Sequence, residues 1–290
     1  MRLAVCLLVV VQATFSVRTE MVVLPVTVTD TRGESVAGLT FTDFRVYDDG
    51  RLQPITLFRS GEVPLTVGLI VDHSQSMRSK LPAVNAAIAA FAVAGRADDE
   101  LFVVGFNDRV LLQPLPDGKP FTSDAADLSA ALDAATPAGM TALYDAVALG
   151  LRHLPAGRAD RKALIVVTDG GDNASQLKYS QVRDLARASQ AVIYGVGLTG
   201  ARSQEENPEA LKRLCRDSGG VAYFPATQAD ISKAVGDIAR DLRTQYTIGF
   251  TPAANSARHG FRPVKVTAVS PVGAKLRVRT RAGYTTRSPQ

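Results

Sequence analysis

The chain has 290 residues, 46% of them apolar and 21% charged, which suits one large folded domain or two modest ones. Its net charge of +5 is only mildly basic, and no aromatic interleaving or nucleic-acid motif accompanies the basic residues, so we expect no nucleic-acid partner. The three histidines are scattered and give no zinc-binding spacing.

Residues 1–18 have the pattern of a secretory signal peptide, with a basic residue directly after the first methionine. Residues 3–11 form an apolar core that is too short to span a bilayer as a settled helix, and Ala13 and Ser16 offer small residues for cleavage. We therefore expect a secreted, periplasmic or cell-envelope protein with no stable transmembrane segment after cleavage. The alternative is that residues 3–28 form one buried start of the fold.

Cleavage would remove Cys6 and leave Cys215 as the only cysteine, so no intramolecular disulfide could form. This suits a bacterial periplasmic or surface protein better than a disulfide-stapled extracellular domain. Cys215 lies in a helical pattern, and we expect it to be a small buried residue rather than a nucleophile.

Hydrophobic periodicity divides the remaining chain into three parts, at residues 19–62, 63–243 and 244–290. The first and last parts have strand patterns, but neither has enough strands to bury a core alone, so we predict that they pair into one small β-domain. The middle part alternates strands and helices, which predicts an α/β fold with a doubly wound, mostly parallel sheet and helices on both faces. The strong strands are predicted at 65–71, 101–106, 163–168 and 191–197, and the helices at about 79–94, 123–135, 141–154, 179–189, 207–217 and 228–243.

Three arginines near the C-terminus alternate along a predicted strand. Arg277, Arg279 and Arg281 therefore share one face of that strand. The pattern allows a patch for nucleic acid or an anionic surface, but we expect a solvated strand face.

Oxygen-bearing side chains recur where the predicted strands of the middle part end. Asp72, Ser74 and Ser76 follow the first strong strand in a D-x-S-x-S pattern, Thr141 opens a later helix, and Asp169 closes the third strong strand. Ligands of open α/β sheets bind at the carboxyl ends of strands, so these five side chains are expected at one rim.

Hydroxyl and carboxylate oxygens are the ligands that a hard cation prefers, and Mg²⁺ usually keeps several waters beside one or two carboxylates. If Ser74, Ser76 and Thr141 contact the ion and Asp72 and Asp169 hold its waters, the charge of the ion stays poorly neutralised. One coordination position would then be open to an outside carboxylate. Taken singly, the same residues have simpler interpretations, since Ser76 and Thr141 could each cap a helix and Asp169 could belong to an ordinary turn.

The combination of these motifs resembles the von Willebrand factor A (VWA) domain with a metal-ion-dependent adhesion site, abbreviated MIDAS. Asp72, Ser74 and Ser76 match its D-x-S-x-S positions, Thr141 its single threonine, and Asp169 its second aspartate. The resemblance implies a Rossmann-like VWA fold and bound Mg²⁺, with Mn²⁺ or Ca²⁺ as alternatives. The stretches that flank the middle part resemble a bacterial, acidobacterial-type family of VWFA-related secreted proteins.

A glycine-rich pattern outside these motifs needs a separate interpretation. Residues 195–200 match G-x-G-x-x-G after a predicted strand, but a dinucleotide site would need the next helix to begin inside the motif. Here a polar loop intervenes and Pro208 is expected to start the helix. We therefore interpret these glycines as turning the chain off a strand.

The predicted metal site, together with the adhesion function that the resemblance implies, favours a secreted, non-enzymatic module that grips an Asp or Glu side chain of a protein partner through the bound ion. A metal-assisted hydrolase of the phosphatase kind is one alternative, but no nucleophile–base pair accompanies the motif. The other alternative is a scaffold subunit of an envelope complex that binds through its β-domain.

Overall fold

The computed structural model describes residues 21–198, 208–252 and 260–286. The predicted signal peptide, Gly200 of the glycine-rich pattern and His259 lie outside the described residues. Within the described residues, no helix combines the length and apolar character needed to cross a membrane.

The described part of the chain contains fourteen strands and six α-helices. The strands are β1 (Val22–Thr29), β2 (Phe44–Asp48), β3 (Arg51–Gln53), β4 (Leu57–Arg59), β5 (Leu65–Asp72), β6 (Glu100–Phe106), β7 (Val110–Leu112), β8 (Arg161–Thr168), β9 (Val192–Gly197), β10 (Ala222–Tyr223), β11 (Tyr246–Phe250), β12 (Gly260–Ala268), β13 (Arg277–Thr280) and β14 (Gly283–Thr286). The helices are α1 (Leu81–Val93), α2 (Ala125–Asp133), α3 (Leu143–His153), α4 (Tyr179–Ala188), α5 (Pro208–Ser218) and α6 (Gln228–Thr244).

The middle of the chain forms a six-stranded sheet in the order β10-β9-β8-β5-β6-β7. All neighbours in it are parallel except β6 and β7. The chain leaves β5 toward β6 on one side and later returns to β8 on the other side. The carboxyl ends of β5 and β8 therefore flank the point where the strand order reverses, which is the usual place for a ligand site in such sheets.

Helices cover both faces of this sheet, so its central strands are buried on both sides. Every residue of β5 is buried. Its alternate residues from Leu65 to Val71 pack with α1, α2 and α6, whereas Ile70 packs with α3, α4 and α5. Gly68 also faces the second layer, where a Cβ would lie 2.4 Å from the Phe102 ring.

The two flanks of the chain contribute strands to two further four-stranded sheets, in the orders β13-β1-β11-β4 and β14-β12-β2-β3. β1, from the first flank, pairs antiparallel with β11 and β13 from the second, and β2 pairs with β12. Aromatic rings fill the core between the flanks, with Phe44 and Tyr246 centred 5.1 Å apart. The predicted fold class, an α/β sheet with a small β-domain built from both flanks, is confirmed.

A buried ion pair lies in the second of these sheets. Arg262 of β12 donates to both carboxylate oxygens of Asp48 in β2, at 3.0 and 2.6 Å, and the Tyr284 hydroxyl donates to the same carboxylate at 3.1 Å. Asp48 is fully buried. Because its partners belong to the other flank, this contact joins the two flanks of the chain.

The predicted solvated arginine face is wrong for two of its three members. Arg279 forms an ion pair with Asp241 of α6 and donates to the Gly219 carbonyl at 2.9 Å. Arg281 is buried and donates to the carbonyls of Gly283 and Arg187. The α/β sheet's helices pack against this strand, so the guanidinium groups meet a carboxylate and helix carbonyls instead of water.

The glycines of the G-x-G-x-x-G pattern that fall in β9 serve packing. A Cβ on Gly195 would lie 2.8 Å from the Leu211 side chain, and one on Gly197 would lie 2.6 Å from the Phe224 ring. Cys215 packs against the same strand and is fully buried, and burial raises the pKa of its thiol. The glycines thus let α5 and its neighbours approach the sheet.

Candidate metal centre

Asp72 is the last residue of β5 and is fully buried at the reversal point of the sheet. Its Oδ1 accepts a hydrogen bond from the Ser74 backbone N–H at 2.7 Å, and its Oδ2 accepts one from the Thr168 hydroxyl at 2.6 Å. These two bonds fix the carboxylate between the ends of β5 and β8.

Burial raises the pKa of the Asp72 carboxyl above its usual range. The hydrogen bonds from Thr168 and Ser74 partly offset this effect, while the negative charge of Asp169 adds to it. A cation bound nearby would stabilise the charged form of such a carboxyl.

Asp169 directly follows β8 and is joined to the D-x-S-x-S stretch through Ser76. The Ser76 hydroxyl donates to Asp169 Oδ1 at 2.8 Å and lies 3.2 Å from the Ser74 hydroxyl. Ser76 is exposed, whereas Ser74 and Asp169 are buried. One polar cluster therefore links two residues of the first motif with the second aspartate.

Thr141 is held by the loop that follows Asp169. Its backbone N–H donates to the Asn173 side chain at 2.8 Å, and its carbonyl accepts from the backbone N–H groups of Asn173 and Ala174. A Cβ on Gly170 would lie 3.7 Å from the Thr141 hydroxyl oxygen. This hydroxyl therefore faces the segment that begins with Asp169.

The helix-cap interpretation of the two hydroxyl residues does not hold. α3 begins at Leu143 with Ala142 as its N-cap, so Thr141 lies before the cap. Ser76 lies inside a short 3₁₀ turn over Gln75–Met77, five residues before α1 begins at Leu81. Neither side chain is therefore occupied in capping an α-helix.

The residues between the motif positions face away from the cluster. The two ring nitrogens of buried His73 lie 3.0 Å from the Val71 carbonyl and 3.2 Å from the Leu132 carbonyl. Gln75 is exposed and accepts a hydrogen bond from Arg78. His73 thus ties the end of β5 to α2.

Sequence reasoning missed three residues that position the site. Thr168 fixes Asp72, Asn173 fixes Thr141, and Lys80 forms an ion pair with Asp169 at 2.5 Å. The polar run after Asp169 was a local signal for Asn173. No local signal pointed to Thr168 or Lys80, because their partners lie 96 and 89 residues away.

The donor set fits a hard divalent cation. Hydroxyl and carboxylate oxygens are its only side-chain donors, and both carboxylates lie at the reversal point of the sheet. In the part of the chain that the structure describes, no group of three or more His, Cys, Asp or Glu side chains gathers to hold a metal. An ion here would therefore depend on the hydroxyls as well as on Asp72 and Asp169.

Sequence comparison supports the resemblance carried by these motifs. A profile of the von Willebrand factor type A domain matches residues 67–239. An uncharacterized protein of Borreliella burgdorferi is 23% identical over 193 residues, a match that covers 63% of this chain. This chain spans 55% of the length of that relative.

Solved structures show the same fold. A von Willebrand factor type A protein from Catenulispora acidiphila superposes with a TM-score of 0.56 at 13% identity, over 93% of this chain and 75% of that one. Proximal thread matrix protein 1 of the mussel byssus, solved with a zinc-occupied MIDAS motif, superposes with a TM-score of 0.53 at 18% identity, over 67% of this chain and 49% of that one. Likeness at these identities concerns the fold alone.

Proposed function

Because this chain belongs to the von Willebrand factor type A family, we propose that it is a secreted or cell-envelope module that binds a protein partner through a divalent cation. Ser74, Ser76 and Thr141 would contact the ion, and Asp72 and Asp169 would hold its waters. The ion would be Mg²⁺, with Mn²⁺ or Ca²⁺ as alternatives. When bound, it supplies a positive centre that attracts a carboxylate of the partner.

The observation that carries the proposal is the hydrogen-bonded cluster at the reversal point of the sheet. Ser76 bridges Ser74 and Asp169, and Thr168 bridges the ends of the two strands through Asp72. With neutral hydroxyls in contact with the ion and the two carboxylates holding only its waters, the charge of a divalent ion would be poorly neutralised by its direct ligands. Such an ion favours an additional anionic ligand, which suits an Asp or Glu side chain.

The proposal is tested by capturing partners from the envelope fraction of the source organism with the purified protein as bait. We expect at least one protein to bind with Mg²⁺ present and to be released by chelator. Thr141→Ala and Asp169→Ala should lose that protein, because each removes an oxygen next to the ion. Cys215→Ser is the control that should retain it, since this thiol lies in the core.

Two outcomes would favour the alternative functions. Partner binding that survives chelation would indicate a scaffold that binds through the β-domain. Metal-dependent hydrolysis of a phosphoester that disappears in Ser74→Ala would indicate an enzyme.

A further inference from the structure

Lys80 carries a positive charge into the candidate metal centre. It immediately precedes α1, and its ammonium donates to Asp169 Oδ2 at 2.5 Å and to the Leu198 carbonyl at 3.2 Å. The carboxylate in this pair is 3% exposed and the lysine side chain 25% exposed. The pair is therefore better shielded from water than an ordinary surface ion pair.

Asp169 connects this ammonium with a predicted metal ligand. One carboxylate oxygen accepts from Lys80, and the other accepts from the Ser76 hydroxyl at 2.8 Å. The ammonium and a cation held by Ser76 would therefore share the same carboxylate as a neighbour. Two positive charges that share one shielded carboxylate repel each other inside a protein.

We propose that Lys80 is a built-in counter-charge that weakens metal binding and keeps the bound ion attractive to an acidic partner. This inference rests on the proposed function and concerns the affinity of the site for its ion. Asp72 and Asp169 bring two negative charges, and Lys80 cancels one of them. A bound divalent ion then retains a net positive charge, which an outside carboxylate can neutralise.

Removing the charge of Lys80 should have opposite effects on the metal-free and metal-bound protein. Without the ammonium, the shielded carboxylate of Asp169 loses its partner, so the metal-free protein should melt at a lower temperature. The same carboxylate becomes fully available to the ion and its waters, so metal affinity should rise about tenfold, because the repulsion between the ammonium and the ion is removed.

The test is titration of the purified protein with Mn²⁺, with free Mn²⁺ followed by its electron paramagnetic resonance signal. Lys80→Met and Lys80→Gln should bind Mn²⁺ about tenfold more tightly than wild type, and Lys80→Arg should bind like wild type because it keeps the charge. Lys233→Met is the matched control, since Lys233 is an exposed lysine of α6 that pairs with Asp237 at 2.7 Å. It should leave the affinity unchanged.

Thermal melting of the same variants checks the reciprocal effect. The Mn²⁺-induced rise in melting temperature should be larger for Lys80→Met than for wild type. Equal or weaker Mn²⁺ binding by both charge-removing variants, with wild type still binding, would overturn the role of Lys80 and leave the metal site standing. Absence of Mn²⁺ binding in wild type and in both variants would overturn the metal site, and the inference about Lys80 with it.

Discussion

At the scale of single residues, Glu100 illustrates how buried charge is stabilised at the edge of the sheet opposite the candidate site. Its carboxylate accepts from the Thr66 hydroxyl at 2.7 Å, from Arg158 through its backbone N–H at 2.7 Å and its Nε at 3.0 Å, and from the Ala159 N–H at 3.3 Å. Burial alone would raise the pKa of this carboxyl, but these hydrogen bonds outweigh burial and lower it.

A pH-dependent contribution to stability follows from this lowered pKa. Because the folded-state pKa lies below the unfolded one, the carboxylate stabilises the fold at pH values above about 4.5, and this contribution is lost as the pH falls through the folded-state pKa. Glu100→Gln should therefore lower the free energy of unfolding by about 1–3 kcal/mol at pH 7 and by progressively less below about pH 4.5.

Urea unfolding of wild type and Glu100→Gln at several pH values measures this difference. Glu209→Gln is the control, because Glu209 is an exposed residue paired with Lys212 and should change stability little at any pH. A difference for Glu100→Gln that stays constant down to pH 3 would contradict the assignment of the lowered pKa to these hydrogen bonds.

Three arginines donate hydrogen bonds to carbonyls at the C-terminal ends of helices. Arg161 donates to the carbonyls of Leu242 and Arg243 at the end of α6, at 3.3 and 3.2 Å. Arg279 and Arg281 reach carbonyls at the ends of α5 and α4. Positive groups at helix C-termini satisfy carbonyls that lack a partner within the helix and interact favourably with the helix dipole.

At the scale of elements, the loop before α3 sets the position of Thr141. Gly139 has φ of +72°, and its carbonyl accepts a hydrogen bond from Gln75 N–H at 3.4 Å. A Cβ at this position would lie 2.2 Å from the Asp108 carboxylate. Glycine therefore allows the loop to pass close to both the D-x-S-x-S stretch and the β6–β7 turn.

Gly139→Ala should disturb the candidate site without touching a predicted ligand. The positive φ costs about 1–2 kcal/mol for a residue with a Cβ, and the clash with Asp108 adds to it. We expect lower stability and weaker Mn²⁺ binding. Gly118→Ala is the control, because Gly118 has φ of +64° but nothing within 4 Å of the added Cβ. Its loss of stability should come without a change in Mn²⁺ affinity, and equal affinity losses in both variants would contradict a specific role for the loop.

The elements themselves were largely predictable, because strands buried on both faces and amphipathic helices have distinct periodicities. The six predicted helices all occur, with ends that differ by at most two residues. The structure differs from the prediction mainly at residues whose surroundings are formed by distant parts of the chain. Arg281, for example, lies past the end of β13 and is buried by α4, which no local pattern near residue 281 could indicate.

In the candidate site, too, local patterns were predictable and contacts with distant parts of the chain were not. Asp72 and Asp169 were predictable as neighbours, because each follows a strong strand of a parallel sheet. The contacts that fix them were not predictable, since Lys80 and Thr168 reach their partners only after the sheet has assembled. Whether the five predicted side chains bind an ion stays a prediction.

At the scale of the whole molecule, the described strands before and after the α/β sheet belong to the same pair of sheets. Both flanks contribute strands to each sheet: they alternate in β13-β1-β11-β4 and meet at the β12–β2 pair in the other sheet, where the Asp48–Arg262 pair joins them. We propose that residues 19–62 and 244–290 fold as one domain, with residues 63–243 inserted between them in the sequence.

Asp48→Asn tests this organisation, because it leaves the buried Arg262 without its charged partner. Loss of one partner of a buried pair costs about 3–5 kcal/mol. Limited proteolysis with mass spectrometry should then show faster cleavage in both flanks, while the α/β sheet stays protected. Tyr284→Phe, which removes one hydrogen bond to Asp48, should have a smaller effect. Equally fast cleavage throughout the α/β sheet would argue against a separate β-domain.

The central claim is that a divalent cation binds at the end of β5. It is tested most directly by melting wild type and Asp72→Ala with Mg²⁺ or Mn²⁺ and with chelator. A ligand that binds only the folded state stabilises it by about 2.7 kcal/mol at one hundred times its dissociation constant, which raises the melting temperature of a protein of this size by several degrees. We predict this rise in wild type and its loss in Asp72→Ala. An equal rise in both proteins, or none in wild type, would contradict the proposed metal centre.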